Sequence, residues 1–253
     1  MRVLILGGTT EASELARLVA GDRRFEATLS LAGRTSSPRS QPIATRIGGF
    51  GGVEGLARHL AEHAIGAVID ATHPYAAQIS ANAVAACARS GVPLVSIVRP
   101  AWMALPGDVW QSVPSTGAAV EALAGTPRRV FLSLGRQELH LFAAAPQHRY
   151  LARLIEPPEQ VGLPPDLVLL RRRGPFDRVA ELGLLQDEKI DVMVSKNAGG
   201  TATYAKIEAA RALGLPVIMI ARPDKPAGLV VTSAAEAVAR LAHDAAPRSL
   251  RGV

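Results

Sequence analysis

Only one cysteine occurs in the chain, Cys87 in the Ala-rich run "AVAACARSG". An internal disulfide is therefore excluded, nothing marks an oxidising compartment, and the thiol fits best as a small buried hydrophobe. Aromatic residues make up just 4% of the sequence and no basic helix interleaves with them, which argues against a nucleic-acid partner. Long apolar runs are missing too. The amino terminus "MRVLILGGTTE" has four apolar residues in a row, too few for a signal peptide or a membrane span, so a cytoplasmic protein without membrane association is expected. Lysine is scarce, at 4 residues against 24 Arg, so the formal charge of +6 is carried by guanidinium forks. Forks suit carboxylates and phosphates, and an anionic small molecule is the expected ligand, although a bias in base composition would produce the same excess. Metal-binding patterns fail as well: "RHLAEH" spaces His59 and His63 at i, i+4 but not in H-E-x-x-H order, and no metal site is expected. There is no G-x-S-x-G elbow and no Walker A loop.

What is present is an alternation of short β-rich runs with Ala-rich helical stretches across 253 residues, 48% of them hydrophobic. "RVLIL", "ATLSLA", "AVIDA" and "PLVSIV" read as strands in the first part, and "RVFLSL", "RYLARLI", "LVLLRR", "DVMVSK" and "PVIMIA" in the second. Such alternation predicts an α/β fold of two doubly wound, Rossmann-like halves with parallel sheets and a cleft between them. The run "RPAWMALPGDVWQSVPSTG" has no helical period and reads as a crossing segment, which divides the chain into residues 1–113 and 114–253. The halves echo each other: "SGVPLVSIVRP" matches "LGLPVIMIARP" at an offset of 123, from Pro100 to Pro223. Carried back one helix, that offset sets Thr72 against Ser195 and His73 against Lys196. A looser echo sets Gly8 and Glu11 of "LGGTTE" against Gly135 and Glu138 of "LGRQE".

Ligands of doubly wound sheets bind beyond the carboxyl ends of the strands, at the switch in strand order. Three stretches fall there. In "LGGTTEASELA" Gly7, Gly8, Thr9, Thr10 and Glu11 link a strand to a helix start, where backbone N–H groups can approach a phosphate, although Thr9 or Thr10 would also serve as a plain N-cap. The second strand ends "SLAGRTSS", and Arg34 occupies the place where such folds read the ribose, favouring NADP over NAD and making residues 1–113 the NADP-binding half. "VIDATHPYAA" runs from a buried strand into Asp70, Thr72, His73 and Tyr75, groups that need either a dense hydrogen-bond network or a ligand. A ligand surface is the preferred reading, with Thr72 on the cofactor side. In the second, substrate-binding half, "SKNAGGTATYAKIEAAR" offers Lys196 and Asn197 to a carboxylate or carbonyl, with Gly199 and Gly200 allowing close approach to the backbone. Arg136 and Arg173, from "LGRQEL" and "RRRGPF", add positive charge.

These motifs, in this order and spread over nearly the whole chain, resemble the precorrin-6A reductase family of cobalamin biosynthesis. The resemblance implies an NADPH-dependent oxidoreductase that converts precorrin-6A to precorrin-6B, with a hydride delivered to C19 and a proton to C18. It implies a polycarboxylate tetrapyrrole as substrate and leaves room for transient contact with neighbouring enzymes of the pathway. His73, Tyr75 and Lys196 are the candidate acids by type, and a water would serve equally. Ala198 departs from the family pattern, in which Ser is common there. A non-catalytic two-lobed binding protein and a nucleotide-dependent transferase stay open as other classes.

Overall fold

The computed structural model describes residues 1–33, 38–123, 125–158 and 161–245. The chain forms two units, Met1–Pro100 with everything from Pro223 onward, and Ala101–Arg222. The first begins β1 (Arg2–Leu6), α1 (Thr10–Val19), β2 (Glu26–Leu31), β3 (Ala44–Ile47), α2 (Gly52–Glu62), β4 (Ala67–Asp70), α3 (Ala77–Ser90) and β5 (Leu94–Ile97). The second holds β6 (Trp110–Val113), α4 (Thr116–Ala122), β7 (Arg129–Ser133), a 3₁₀ helix (Arg136–Ala144), β8 (Arg149–Leu154), β9 (Leu167–Arg171), α5 (Arg178–Asp187), β10 (Val192–Lys196), α6 (Ala205–Ala212) and β11 (Val217–Ile220). The chain then returns to the first unit as β12 (Leu229–Val231) and α7 (Ala234–Ala245).

Each unit carries one six-stranded sheet, in the orders β12-β5-β4-β1-β2-β3 and β6-β11-β10-β7-β8-β9. All the strand pairings are parallel. Strands of parallel sheets are covered on both faces, which explains why β1 and β4 read as unbroken apolar runs rather than alternating ones. In the first unit Val3, Ile5 and Ile69 pack on one face with Leu15 of α1 and Ala237 and Leu241 of α7. On the other face Leu4, Leu6 and Val68 pack with Leu56 and Leu60 of α2 and Ala83 and Cys87 of α3. Cys87 is a core residue, as expected, and burial pushes its thiol up to about 11.

Two readings of the sequence are corrected here. The expected boundary at 113/114 does not follow the sheets, because β6 lies in the crossing segment yet pairs with β11, while β12 and α7 complete the first unit. Each sheet thus takes its sixth strand from the far side of a connection. Both strands are short edge strands with mostly exposed residues, so their apolar pattern is too weak to mark them. The echo also shifts. Leu6 pairs with Asp70 as Ser133 pairs with Ser195, which makes Asp70 the counterpart of Ser195 at an offset of 125. His73 is therefore not the counterpart of Lys196. An offset read at β5 and β11 cannot be carried back through α3 and α6, because the first runs 14 residues and the second 8.

Candidate functional site

In the first unit the switch in strand order lies between β1 and β4, and the loops that follow these two strands flank it. Gly7 continues β1 by donating its N–H to Ser30 O, and a Cβ at Gly7 would stand 2.5 Å from Leu29 Cδ1, so a larger residue there would have to displace the buried Leu29 side chain. Gly8 follows with φ +112°, a conformation that L side chains rarely adopt. Thr9 is the N-cap of α1: its hydroxyl accepts from Ala12 N and donates to Ala71 O at 2.7 Å, which ties the glycine loop to the end of β4. Thr10 and Glu11 open the helix, whose first N–H groups have no intrahelical partner and favour an anion. Glu11 would repel that anion, but its carboxylate pairs with Arg99 at 2.6 Å, and the charge is neutralised within the unit. Arg34 lies outside the described residues. Arg46, in β3, donates to Ser30 Oγ and to the carbonyls of Gly48 and Gly49, and its guanidinium stacks on Phe50 at 3.9 Å.

The "DATHPYA" stretch divides into two parts. Asp70, 1% exposed, accepts from Thr72 N and Thr72 Oγ through one oxygen and from Ser80 Oγ through the other. Lys225, from the returning segment, stands 3.4 Å from Asp70 Oδ2 and donates to Thr72 Oγ at 3.1 Å. Asp70 and Thr72 therefore belong to a buried hydrogen-bond network rather than to a ligand surface, and the hydroxyl placed on the cofactor side is engaged inside the protein. His73 and Tyr75 differ: both are half-buried, their rings lie 5.6 Å apart, and Tyr75 N donates to His73 Nδ1.

In the second unit Lys196, the last residue of β10, pairs with Glu138, which also accepts from Thr116 Oγ at 2.7 Å. The first-turn acid is thus ion-paired in both units, by Arg99 in one and Lys196 in the other. Asn197 uses its amide on the main chain of Trp102, accepting from Trp102 N at 2.8 Å and donating to Trp102 O at 2.9 Å. The Trp102 indole donates to Gly200 O, and Arg222 donates to the carbonyls of Asn197 and Ala198. Gly199 and Gly200 both adopt φ near +70°, so the loop needs both glycines. Arg136 is exposed and reaches Pro157 O, and Arg173 is exposed on the segment after β9.

Charges that the sequence did not single out lie beneath this loop. Arg153 pairs with Glu181 and stacks on Phe176 at 3.6 Å, all within the second unit. Lys206 of α6 donates to Ser133 Oγ at 2.8 Å. Burial, with Arg153 as the nearby like charge, brings its ammonium down to about 7, against an opposing pull from Glu181. Lys206 lies within the run "SKNAGGTATYAKIEAAR" without being singled out there, and Lys225 stands in no recognisable pattern, because each is defined by a partner far off in the chain. Among the described residues no cluster of three or more metal-ligating side chains occurs, and no helix is long and apolar enough to cross a membrane.

Two doubly wound parallel sheets, one with a glycine loop and capped helix at its switch point, define a Rossmann-like α/β protein built in duplicate. Residues 2–242 match the family model "Precorrin-6x reductase CbiJ/CobK". The chain belongs to the precorrin-6x reductase family. It is 52% identical to the precorrin-6A reductase of Rhodobacter capsulatus, over 98% of this chain and 99% of that one. A precorrin-6A reductase of Sinorhizobium sp. is likewise 52% identical, over 97% of this chain and 94% of that one. A cobalt-precorrin-6A reductase of Priestia megaterium is 29% identical over 95% of this chain and 98% of its own. The solved structure of a CobK precorrin-6A reductase superposes with a TM-score of 0.91 at 52% identity, covering 96% of each chain. The resemblance drawn from the motifs is borne out, and membership in a reductase family sets aside the binding-protein and transferase readings.

Proposed function

We propose that this chain reduces precorrin-6A to precorrin-6B with NADPH, the cofactor seated on the first unit and the substrate carboxylates on the second. The observation that carries the cofactor half is the loop from β1 to α1. Gly7 lets the backbone lie against the sheet at Leu29, Gly8 turns the chain with no side chain on its open side, and the opening N–H groups of α1 suit a pyrophosphate once Arg99 has neutralised Glu11. Bound NADPH supplies a hydride, which this reading sends to C19 of the macrocycle with a proton to C18. The protein's part is to hold the reacting carbons together and keep water out. His73 and Tyr75, half-buried in the loop after β4, are the candidate proton donors of the first unit. Arg136, Arg173 and Lys196 supply positive charge for the substrate carboxylates, with Lys196 held in place by Glu138. Gly199 and Gly200 present backbone, while Asn197 shapes that loop through Trp102. Identity of 52% to precorrin-6A reductases against 29% to a cobalt-precorrin-6A reductase favours the metal-free macrocycle.

Cofactor titrations test this reading. NADPH is expected to bind in preference to NADH, and Arg34→Ala to weaken NADPH by about ten- to a hundred-fold through loss of one charge-assisted contact to phosphate. NADH affinity should barely change. Equal loss for both cofactors would remove Arg34 from the 2′-phosphate, and absence of NADPH binding by the wild type would sink the cofactor assignment.

A further inference from the structure

The end of β4 is held from two directions. Thr9, the N-cap of α1, donates to the carbonyl of Ala71, and Lys225 lies 3.5 Å from the carbonyl of Thr72 while also pairing with Asp70 and bonding the Thr72 hydroxyl. Asp70 in turn fixes Thr72 through both its N–H and its hydroxyl, and takes a third bond from Ser80 on α3. Ala71 and Thr72 thus each have their carbonyl engaged by a side chain far off in sequence, and the next residue is His73. Lys225 is 10% exposed at its side chain, so it is not a surface cation, and it comes from a segment 153 residues beyond Thr72. Only Pro223 and Asp224 separate it from Arg222, which grips the Asn197 and Ala198 carbonyls in the other unit.

We propose that Lys225 is a positioning residue for the reduction, setting the end of β4 so that His73 and Tyr75 are presented to the ligand at the switch point. This rests on the reading that the first unit seats the nicotinamide nucleotide. Lys225 does not touch the ligand; it acts through Asp70 and Thr72. Were it only a structural pair, its loss would lower stability and leave turnover by the folded protein intact. As a positioning residue it governs kcat, because a small displacement of a group at the site costs far more in rate than in binding.

Lys225→Met strands a buried carboxylate, so the informative variant is Lys225→Met combined with Asp70→Asn, with Lys225→Arg as the conservative control. Full-length proteins are compared by thermal melting, by NADPH fluorescence titration, and by steady-state reduction of precorrin-6A at a temperature where all are folded. The folded double variant is expected to bind NADPH within about three-fold of wild type and to lose about ten- to a hundred-fold in kcat, with Lys225→Arg recovering most of the rate. A double variant that melts early but turns over at the wild-type rate overturns the proposal. So does failure of both the double variant and Lys225→Arg to fold, which would make the pair purely structural. Wild-type protein that does not bind NADPH overturns the cofactor reading and this proposal with it, whereas wild-type binding with an unaffected kcat in the variant overturns this proposal alone.

Discussion

Lys206 sits in surroundings that oppose its own charge. It is 3% exposed, its main partner is the neutral hydroxyl of Ser133, and Arg153 adds a like charge nearby. Its ammonium is brought from 10.5 to about 7, so between those values the unfolded chain binds a proton that the folded chain does not. Stability attributable to this residue therefore rises with pH across that window: the cost is full below about 7 and vanishes above 10.5. Lys206→Met removes the titrating group while keeping the bulk. It should melt at a higher temperature than wild type at pH 7, with the gap closing toward pH 10. A variant that melts lower at pH 7, with the wild-type pH slope intact, would show that the bond to Ser133 outweighs the burial of charge.

At the scale of elements, α1 and β4 are joined by one side chain. Thr9 caps the helix through Ala12 N and binds the Ala71 carbonyl, so the helix start and the end of a neighbouring strand are set together. Thr9→Ala removes both bonds, and the loss of the cap alone costs about 0.5–2 kcal/mol. Thr9→Ser keeps the hydroxyl and should recover most of it. Urea unfolding of the three proteins measures the difference, and equal losses for Ala and Ser would assign the effect to the methyl group instead. The same joint shows how much of the site was legible. A glycine pair followed by hydroxyls and an acid announces a helix start, but the partner of each hydroxyl is chosen by which strand lies alongside. Thr72 illustrates the converse: its type and place suited a cofactor contact, yet Asp70 and Lys225 engage its hydroxyl.

For the molecule as a whole, the decisive feature is that the chain leaves the first unit after Pro100 and returns at Pro223. The returning segment is integral to that unit, since β12 pairs along β5 and Ala234, Ala237 and Leu241 of α7 lie in its core at 1% exposure or less. A chain ending at Arg222 should therefore lose order in the first unit and with it NADPH binding, while the second unit, complete between Ala101 and Arg222, keeps its sheet. Hydrogen exchange can follow both at once, with amides of β1, β4 and β5 expected to exchange quickly and those of β7, β10 and β11 to stay protected. Protection in both units after truncation would mean that β12 and α7 only decorate the first sheet.

Local pattern by itself determined the fold class, the parallel sheets, the burial of Cys87, the glycine loop and the motifs that identify the family. Each of these depends on side chains near one another in sequence, where the cost of burying a polar group or crowding a backbone is felt within one strand or turn. Tertiary structure alone decided which sheet received β6 and β12, since short exposed edge strands carry almost no pattern and either sheet offers an apolar edge. It also decided the counterpart of Asp70, because helices of unequal length separate the echoing strands. The pairing of Asp70 with Lys225 belongs to the same class. A buried carboxylate demands a cation or hydrogen-bond donors, and that demand can be read from the sequence, but which of the chain's basic residues answers it depends on where the returning segment packs.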